Sequence, residues 1–221
     1  MLRIRAHFFF LFASLFLIGC ATESHREIEP QKIQVSTGYS GSKTVLVVGK
    51  FQNRSTYMQG LFSSSADKLG NQAKTILKTH LQLTNRFSVV DRENMANIKT
   101  EAAISGTQQT LIGAGYVVTG DVTEFGRKVS GDQQLFGILG ASKKQTAYAK
   151  VSLNVVNVKT SEIVYSTQGA GEYSLSNREV IGFGGTASYD ATLNGKVLNF
   201  AIMESVNNLV SDLNSGVWTV N

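Results

Sequence analysis

Cys20 is the only cysteine in the chain, and it closes an apolar run. Arg3 and Arg5 precede that run, which extends from Phe8 to Ile18 with Ser14 as its one break and ends Leu17-Ile18-Gly19-Cys20. A basic start, a short apolar core and small residues before the cleavage point describe a secretory signal. The ending is similar to a bacterial lipobox, in which the cysteine thiol is diacylated and becomes the first residue of the mature chain. Acyl chains contribute about 0.8 kcal/mol per buried CH2, so several chains on one cysteine anchor firmly. A palmitate-type lipid on Cys20 is the one covalent group expected, and no diffusible cofactor is. Ala21 follows the cysteine, not the aspartate of an inner-membrane retention signal. The expected address is the periplasmic face of an outer membrane.

Other reactive side chains are sparse. Ser65-Ala66-Asp67-Lys68 and Ser40-Gly41-Ser42-Lys43 match S-x-x-K, and Lys159-Thr160-Ser161 faintly resembles the K-T-G element of penicillin-binding enzymes. Such a site needs serine, base and oxyanion hole in one cleft, and matches this short arise by chance. Histidines occur only at positions 7, 25 and 80. One cysteine excludes a thiolate zinc site, and the carboxylates show no calcium or magnesium spacing. Gly182-Phe-Gly-Gly lacks the lysine-serine and helix of a phosphate loop. The reading is of a non-enzyme with no catalytic residues and no metal.

The chain has 221 residues, 42% of them hydrophobic and 17% charged, with 21 glycines and one proline. That composition excludes a disordered or collagen-like chain, and no run of 18 apolar residues offers a transmembrane helix. Loss of residues 1–19 removes Arg3 and Arg5 and lowers the net charge of +5 by two. Nucleic-acid binding thereby loses its main support.

Residues 20–43 read as a lipidated tether, and 44–221 as the folded domain. Thr44–Val48 forms a buried strand ended by Gly49. Residues 52–65 form a polar loop with Tyr57 and Phe62. Leu69, Ala73, Ile76, Leu77 and Leu81 share one helix face, with Ser63 to Ser65 offering cap hydroxyls and His80 bordering that face as a hydrogen-bonded core histidine. Phe87–Val90 is a second strand. Asp91 caps a helix through about Ile104, with Met95 and Ile98 inward. A third strand starts at Tyr116 and runs toward Val129. Ala147, Ala149, Val151, Leu153 and Val155 then alternate with polar residues, and Ile163, Tyr165 and Thr167 continue the pattern after a turn. A final helix at about Gly195–Leu213 buries Leu198, Ile202, Val206, Leu209, Val210 and Leu213. The order β-α-β-α-β-β-β-α gives an α/β (α+β) domain with helices on a mixed sheet.

Two stretches, about 126–147 and 169–194, exceed what that domain needs. The first has an apolar tip, Leu135-Phe136-Gly137-Ile138-Leu139-Gly140, and basic residues Lys128, Lys143 and Lys144. The second alternates apolar residues (Ile181, Phe183, Ala187, Tyr189, Ala191, Leu193) with small polar ones. A lipid-facing apolar side opposite a polar side suits a membrane β-strand. An open edge is forbidden in lipid, so several copies would have to close one barrel. Long soluble hairpins remain the equal alternative.

The Tyr116-Val-Val-Thr-Gly-Asp121 run, Phe87-Ser-Val-Val-Asp-Arg92, Val155-Val-Asn-Val-Lys-Thr-Ser-Glu-Ile163, the lipobox and Gly216-Val-Trp218 together resemble the curli secretion channel (CsgG/HfaB-type) family. The resemblance implies an outer-membrane lipoprotein that forms a homo-oligomeric ring. Each subunit gives two hairpins to a shared β-barrel, and unfolded curli-like subunits pass without nucleotide hydrolysis, with periplasmic accessory proteins as further partners. It also implies a constriction loop after the first strand, here with Tyr57 and Phe62 as aromatic candidates and Asn53 and Gln59 as amides. Ser161 stands where the family commonly has glycine, and the C-terminal extension of the channel proteins is absent. The alternative is a periplasmic adaptor or activator lipoprotein that binds an envelope partner without making a pore.

Overall fold

The computed structural model describes residues 39–57, 67–133, 141–179 and 192–220. The signal sequence, Cys20, most of the tether, Gln59, Phe62, the apolar tip and residues 180–191 lie outside the described residues.

The observed order is β1 (Thr44–Asn53), α1 (Lys68–Leu83), β2 (Phe87–Val90), α2 (Met95–Ile104), β3 (Tyr116–Gln133), β4 (Ala141–Asn157), β5 (Ile163–Glu179) and α3 (Thr192–Asn214). One five-stranded sheet has the order β2-β1-β3-β4-β5. β1 pairs parallel with β2 and β3, and β3, β4 and β5 form an antiparallel meander. The expected mixed α/β fold is the one observed.

Strand alternation sorts the sheet into two faces. Leu46, Val48, Val118, Val122, Ala147, Ala149, Val151, Leu153 and Val155 are buried on one of them. The buried stripes Leu69, Ala73, Leu77 and Leu81 of α1 and Leu198, Ile202, Val206 and Leu209 of α3 join them in one core. Burial of each valine, leucine or isoleucine among them stabilises the fold by roughly 1.5–3 kcal/mol.

The seat of α3 on the sheet is unusually close. A Cβ at Gly169 would overlap the Ala201 carbonyl oxygen and come within 2.5 Å of Ser205 Oγ, and one at Gly171 would lie 2.5 Å from the Val197 carbonyl. Only hydrogen fits between β5 and the helix backbone there. At the other end of α3 the chain turns through Gly216, with φ +76°. Trp218 then folds back, its indole N–H donating to the Leu209 carbonyl at 3.1 Å and its ring stacked on Tyr165 at 5.3 Å. The Tyr165 hydroxyl donates to Asp212 at 2.5 Å. Burial and that hydrogen bond push the Tyr165 pKa up to about 12.

Several details differ from expectation. β1 runs past Gly49 to Asn53 because a bulge between Val48 and Phe51 re-registers it on β3. The cap of α1 is Asp67, whose carboxylate accepts from the Gly70 N–H at 2.8 Å, and Ser63–Ser65 lie outside the described residues. Asp91 does not cap α2; its carboxylate accepts from the Glu93 and Asn94 backbone instead. Met95 is half-buried and Ile98 is 38% exposed, so α2 holds no fully buried residue. Ile163 is exposed because a register shift between Val155 and Val156 displaces it from the core row. In the first segment beyond the domain, residues 126–133 pair antiparallel with residues 141–148 as a continuation of β3 and β4. Thr192, Leu193 and Asn194, assigned from the sequence to the second extended segment, form the first turn of α3 instead, with Leu193 fully buried.

Ser161 holds φ +60° in the β4–β5 turn. Its N–H donates to the Asn157 carbonyl at 2.9 Å, while Asn157 Oδ1 accepts from the Lys159 N–H at 2.8 Å. An L-residue in that region costs roughly 1–2 kcal/mol. Ser161→Gly is expected to stabilise the protein by up to about 1 kcal/mol, the gain being offset in part by greater freedom of the unfolded chain. Ser161→Val is expected to destabilise it. Urea unfolding midpoints read both. Gly169→Ala should cost about 1–3 kcal/mol through overpacking of α3, seen as a lower midpoint at unchanged slope.

Candidate functional site

Of the loop residues singled out by resemblance, Asn53 and Tyr57 are described. Asn53 ends β1, and its side chain makes a local turn. Oδ1 accepts from the Ser55 N–H at 3.0 Å and the Ser55 hydroxyl at 2.6 Å, and Nδ2 donates to the Tyr57 carbonyl at 2.9 Å. The Asn53 N–H donates to Asp67 at 2.7 Å, so the capping aspartate of α1 also fastens the start of the loop. The Tyr57 ring lies 4.6 Å from that of Phe125 on β3. The structure therefore brings Asn53 and Tyr57 together at the upper end of β1. Asp67 and Phe125, which hold them, escaped the sequence reading because their partners are distant in the chain.

The S-x-x-K candidates gather no catalytic apparatus among the described residues. Ser40 and Lys43 are exposed, and Lys159 to Ser161 lie in the β4–β5 turn. Among the described residues no group of His, Cys, Asp or Glu could hold a metal ion.

The upper part of the meander differs from the rest of the sheet in how its edges are covered. β1 ends where Asn53 meets Val122, and the Arg54 N–H donates to the Val122 carbonyl at 3.0 Å. Above that level β3 has no neighbour on its β1 side among the described residues. On the opposite edge, α3 side chains occupy the backbone of β5. Glu204 accepts from the Ala170 N–H at 2.5 Å, and Asn208 donates to the Gln168 carbonyl at 3.1 Å. The ladder pairs Glu124 with Lys150 and Lys150 with Ala170, then Phe125 with Ala149 and Ala149 with Gly171. Among the described residues, β3 thus opens above the Val122–Val151–Gly169 rung and β5 above the neighbouring Glu124–Lys150–Ala170 rung, so both edges are open from Phe125–Ala149–Gly171 onward.

Beyond that rung, three strands continue as a blade through Gln133, Ala141 and Glu179. About eight residues per strand give it roughly 26 Å at the usual strand rise. Its base is tied to α3, because the Arg127 guanidinium donates to Asn194 Oδ1 at 2.9 and 2.6 Å. A Lys150–Glu124 ion pair at 2.9 Å bridges β4 and β3 at the same level. At the far side of the sheet, the short edge strand β2 is guarded by Gln82, whose side-chain oxygen accepts from the Val89 N–H at 3.1 Å. Unpaired edges recruit further strands. Among the described residues, the edges are covered around the body and open on the blade.

The family model for the curli production assembly/transport component CsgG matches residues 31–221. The chain belongs to the CsgG family. A protein of Neisseria meningitidis serogroup B, named a candidate lipoprotein, is 61% identical over 210 residues, which cover 95% of this chain and 94% of that one. Among solved structures, a candidate neuraminyllactose-binding hemagglutinin homologue from Helicobacter pylori aligns at 12% identity and a TM-score of 0.43. It covers 86% of this chain and 92% of its own. A PelC dodecamer from Paraburkholderia phytofirmans aligns at 15% identity and a TM-score of 0.36, over 75% and 86% of the two chains.

In this CsgG-family chain the Asn53 turn fixes the loop's first residues. Asn53→Ala removes the side-chain bonds to Ser55 and Tyr57 and is expected to cost about 2 kcal/mol. The increase in loop cleavage by a low dose of protease should exceed any increase at the β4–β5 turn.

Proposed function

We propose that this protein is a lipid-anchored envelope component that assembles edge to edge through its blade into a closed homo-oligomeric ring. In this reading the ring passes extended, unfolded curli-like subunits across the outer membrane without nucleotide hydrolysis. The observation that carries it is that, from the Phe125–Ala149–Gly171 rung onward, neither edge of the sheet has a partner strand among the described residues. A head-to-tail contact between two unlike edges generates a ring when the rotation closes, and closure removes every edge. Family membership supports transport or assembly as the class of function, and the lipoprotein-type relative supports the anchor at Cys20. The main domain then faces the periplasm, and Asn53, Tyr57, Gln59 and Phe62 belong to a loop that narrows the passage. Aromatic and amide groups there would touch any extended backbone weakly.

A second reading is favoured by one specific observation. Consecutive strand positions belong to opposite faces, and Arg127 and Lys128 are consecutive in β3. The described blade therefore has no charge-free face to give to lipid. That suits an adaptor whose blade docks on an envelope partner in water.

Extraction of the lipidated protein in mild detergent, followed by electron microscopy, separates the two. The channel predicts rings with a central opening and conductance in planar bilayers, and deletion of residues 130–144 should abolish both while leaving the body folded. A uniform population of monomers without conductance would sink the channel and leave the adaptor.

A further inference from the structure

His80 lies in the seam between α1 and α3, 5% exposed. Its Nε2 shares a 2.8 Å hydrogen bond with Asn199 Oδ1 of α3. An amide oxygen only accepts, so the neutral ring carries its proton on Nε2 and keeps a lone pair on Nδ1. Nδ1 is buried and has no hydrogen-bond partner among the described residues. The site thus suits a neutral imidazole and makes no provision for a second ring proton.

The charged groups on the surrounding elements are engaged elsewhere or exposed. On α1, Lys74 and Lys78 both pair with Glu93. On α3, Lys196 lies over the Tyr173 ring, Glu204 accepts from Ala170 and Asp212 accepts from Tyr165. Beside β2, Arg86 stacks on Tyr39. On β1, Lys50 is exposed. On β3, Asp121 pairs with Arg54, Glu124 pairs with Lys150, Arg127 binds Asn194, and Lys128 is exposed. No anion among them is turned to the ring to welcome an imidazolium.

We propose that the His80–Asn199 contact is a proton-operated latch between α1 and α3. A second proton on the ring puts an uncompensated charge and an unpartnered N–H into the seam. That loosens α3, and with α3 go its hold on β5 at Gly169 and Gly171 and its tie to Arg127 at the base of the blade. Burial holds the His80 pKa below its ordinary value, with the Asn199 hydrogen bond opposing that shift. The sign follows directly. A group whose folded pKa is depressed leaves stability intact above the unfolded value of about 6.5 and removes it as pH falls from there toward the folded value. His80 is the one histidine among the described residues, and comparison with a variant that lacks it isolates its share of this window.

The test is the equilibrium unfolding of the full chain in detergent at pH 7.5 and 5.5. Hydrogen exchange locates the loosened amides. Wild type is expected to lose up to about tenfold in its folding equilibrium constant across that window, with α3 and the adjacent part of β5 exchanging fastest at the lower pH. His80→Gln keeps an amide donor for Asn199 but takes up no proton, so its loss over the same window should be less than twofold. Asn199→Asp sets a carboxylate against Nε2, which favours the charged ring, so its stability should hold level or rise as pH falls to 5.5. An equal loss in wild type and His80→Gln would overturn the latch. Should His80→Gln fail to fold, a wild-type-like loss in Asn199→Asp would overturn it as well.

Discussion

The close seat of α3 on β5 is the contact on which the rest of the domain depends. Gly169 and Gly171 remove two side chains from the helix-facing side of β5, and Ala147 and Ala149 keep the neighbouring positions of β4 small. The helix backbone can then approach the sheet directly. That approach brings Glu204 and Asn208 within reach of the β5 edge, sets Asn194 against Arg127, and carries Asn199 to His80. Larger residues on that face would lift α3 away and withdraw all of these contacts together. Trp218 secures the same helix from its far end by returning over Tyr165.

The exposed backbone of the sheet is managed unevenly. Around the body, each edge is occupied by a helix-borne side chain: Gln82 at β2, and Glu204 and Asn208 at β5. Along the blade, the described residues supply no such guard. A soluble domain with nothing to pair would be expected to blunt such edges. The contrast within one sheet leaves the blade as the stretch where an added strand could pair, as the proposed ring requires.

Much of this was legible in the sequence, where a periodic pattern coincided with a buried face. The β4 alternation from Ala147 to Val155 and the α3 stripe from Leu198 to Leu213 marked core faces that the structure confirms. His80 lies on the helix face that its spacing implied. The failures have physical causes. Met95 and Ile98 carry helical spacing, yet α2 holds no fully buried residue, because burial is decided by tertiary neighbours rather than by period. Gly49 read as a strand end, but a bulge absorbs it and β1 continues. Asp67 was passed over for three serines since any of the four side chains can cap a helix. The shared stretch of open edges was invisible because it depends on which strands lie side by side. The order β2-β1-β3 cannot be read from a linear pattern.

That same order divides the domain by how far apart in the chain its contacts lie. β3, β4 and β5 are joined through successive hairpins, so their ladders form from neighbouring segments. β1 must wait for Tyr116 to Val122 to return across α1, β2 and α2 before its second edge is covered. Long-range parallel pairing is slow because the entropy of closing a large loop is lost before the contacts reward it. In the nascent chain the meander is therefore the cheaper piece to assemble. Until β1 arrives, the open edge of β3 extends the whole length of the strand, so self-pairing is least restricted during folding. Any pairing between copies at that stage would use the body of β3, a stretch that β1 covers in the finished fold.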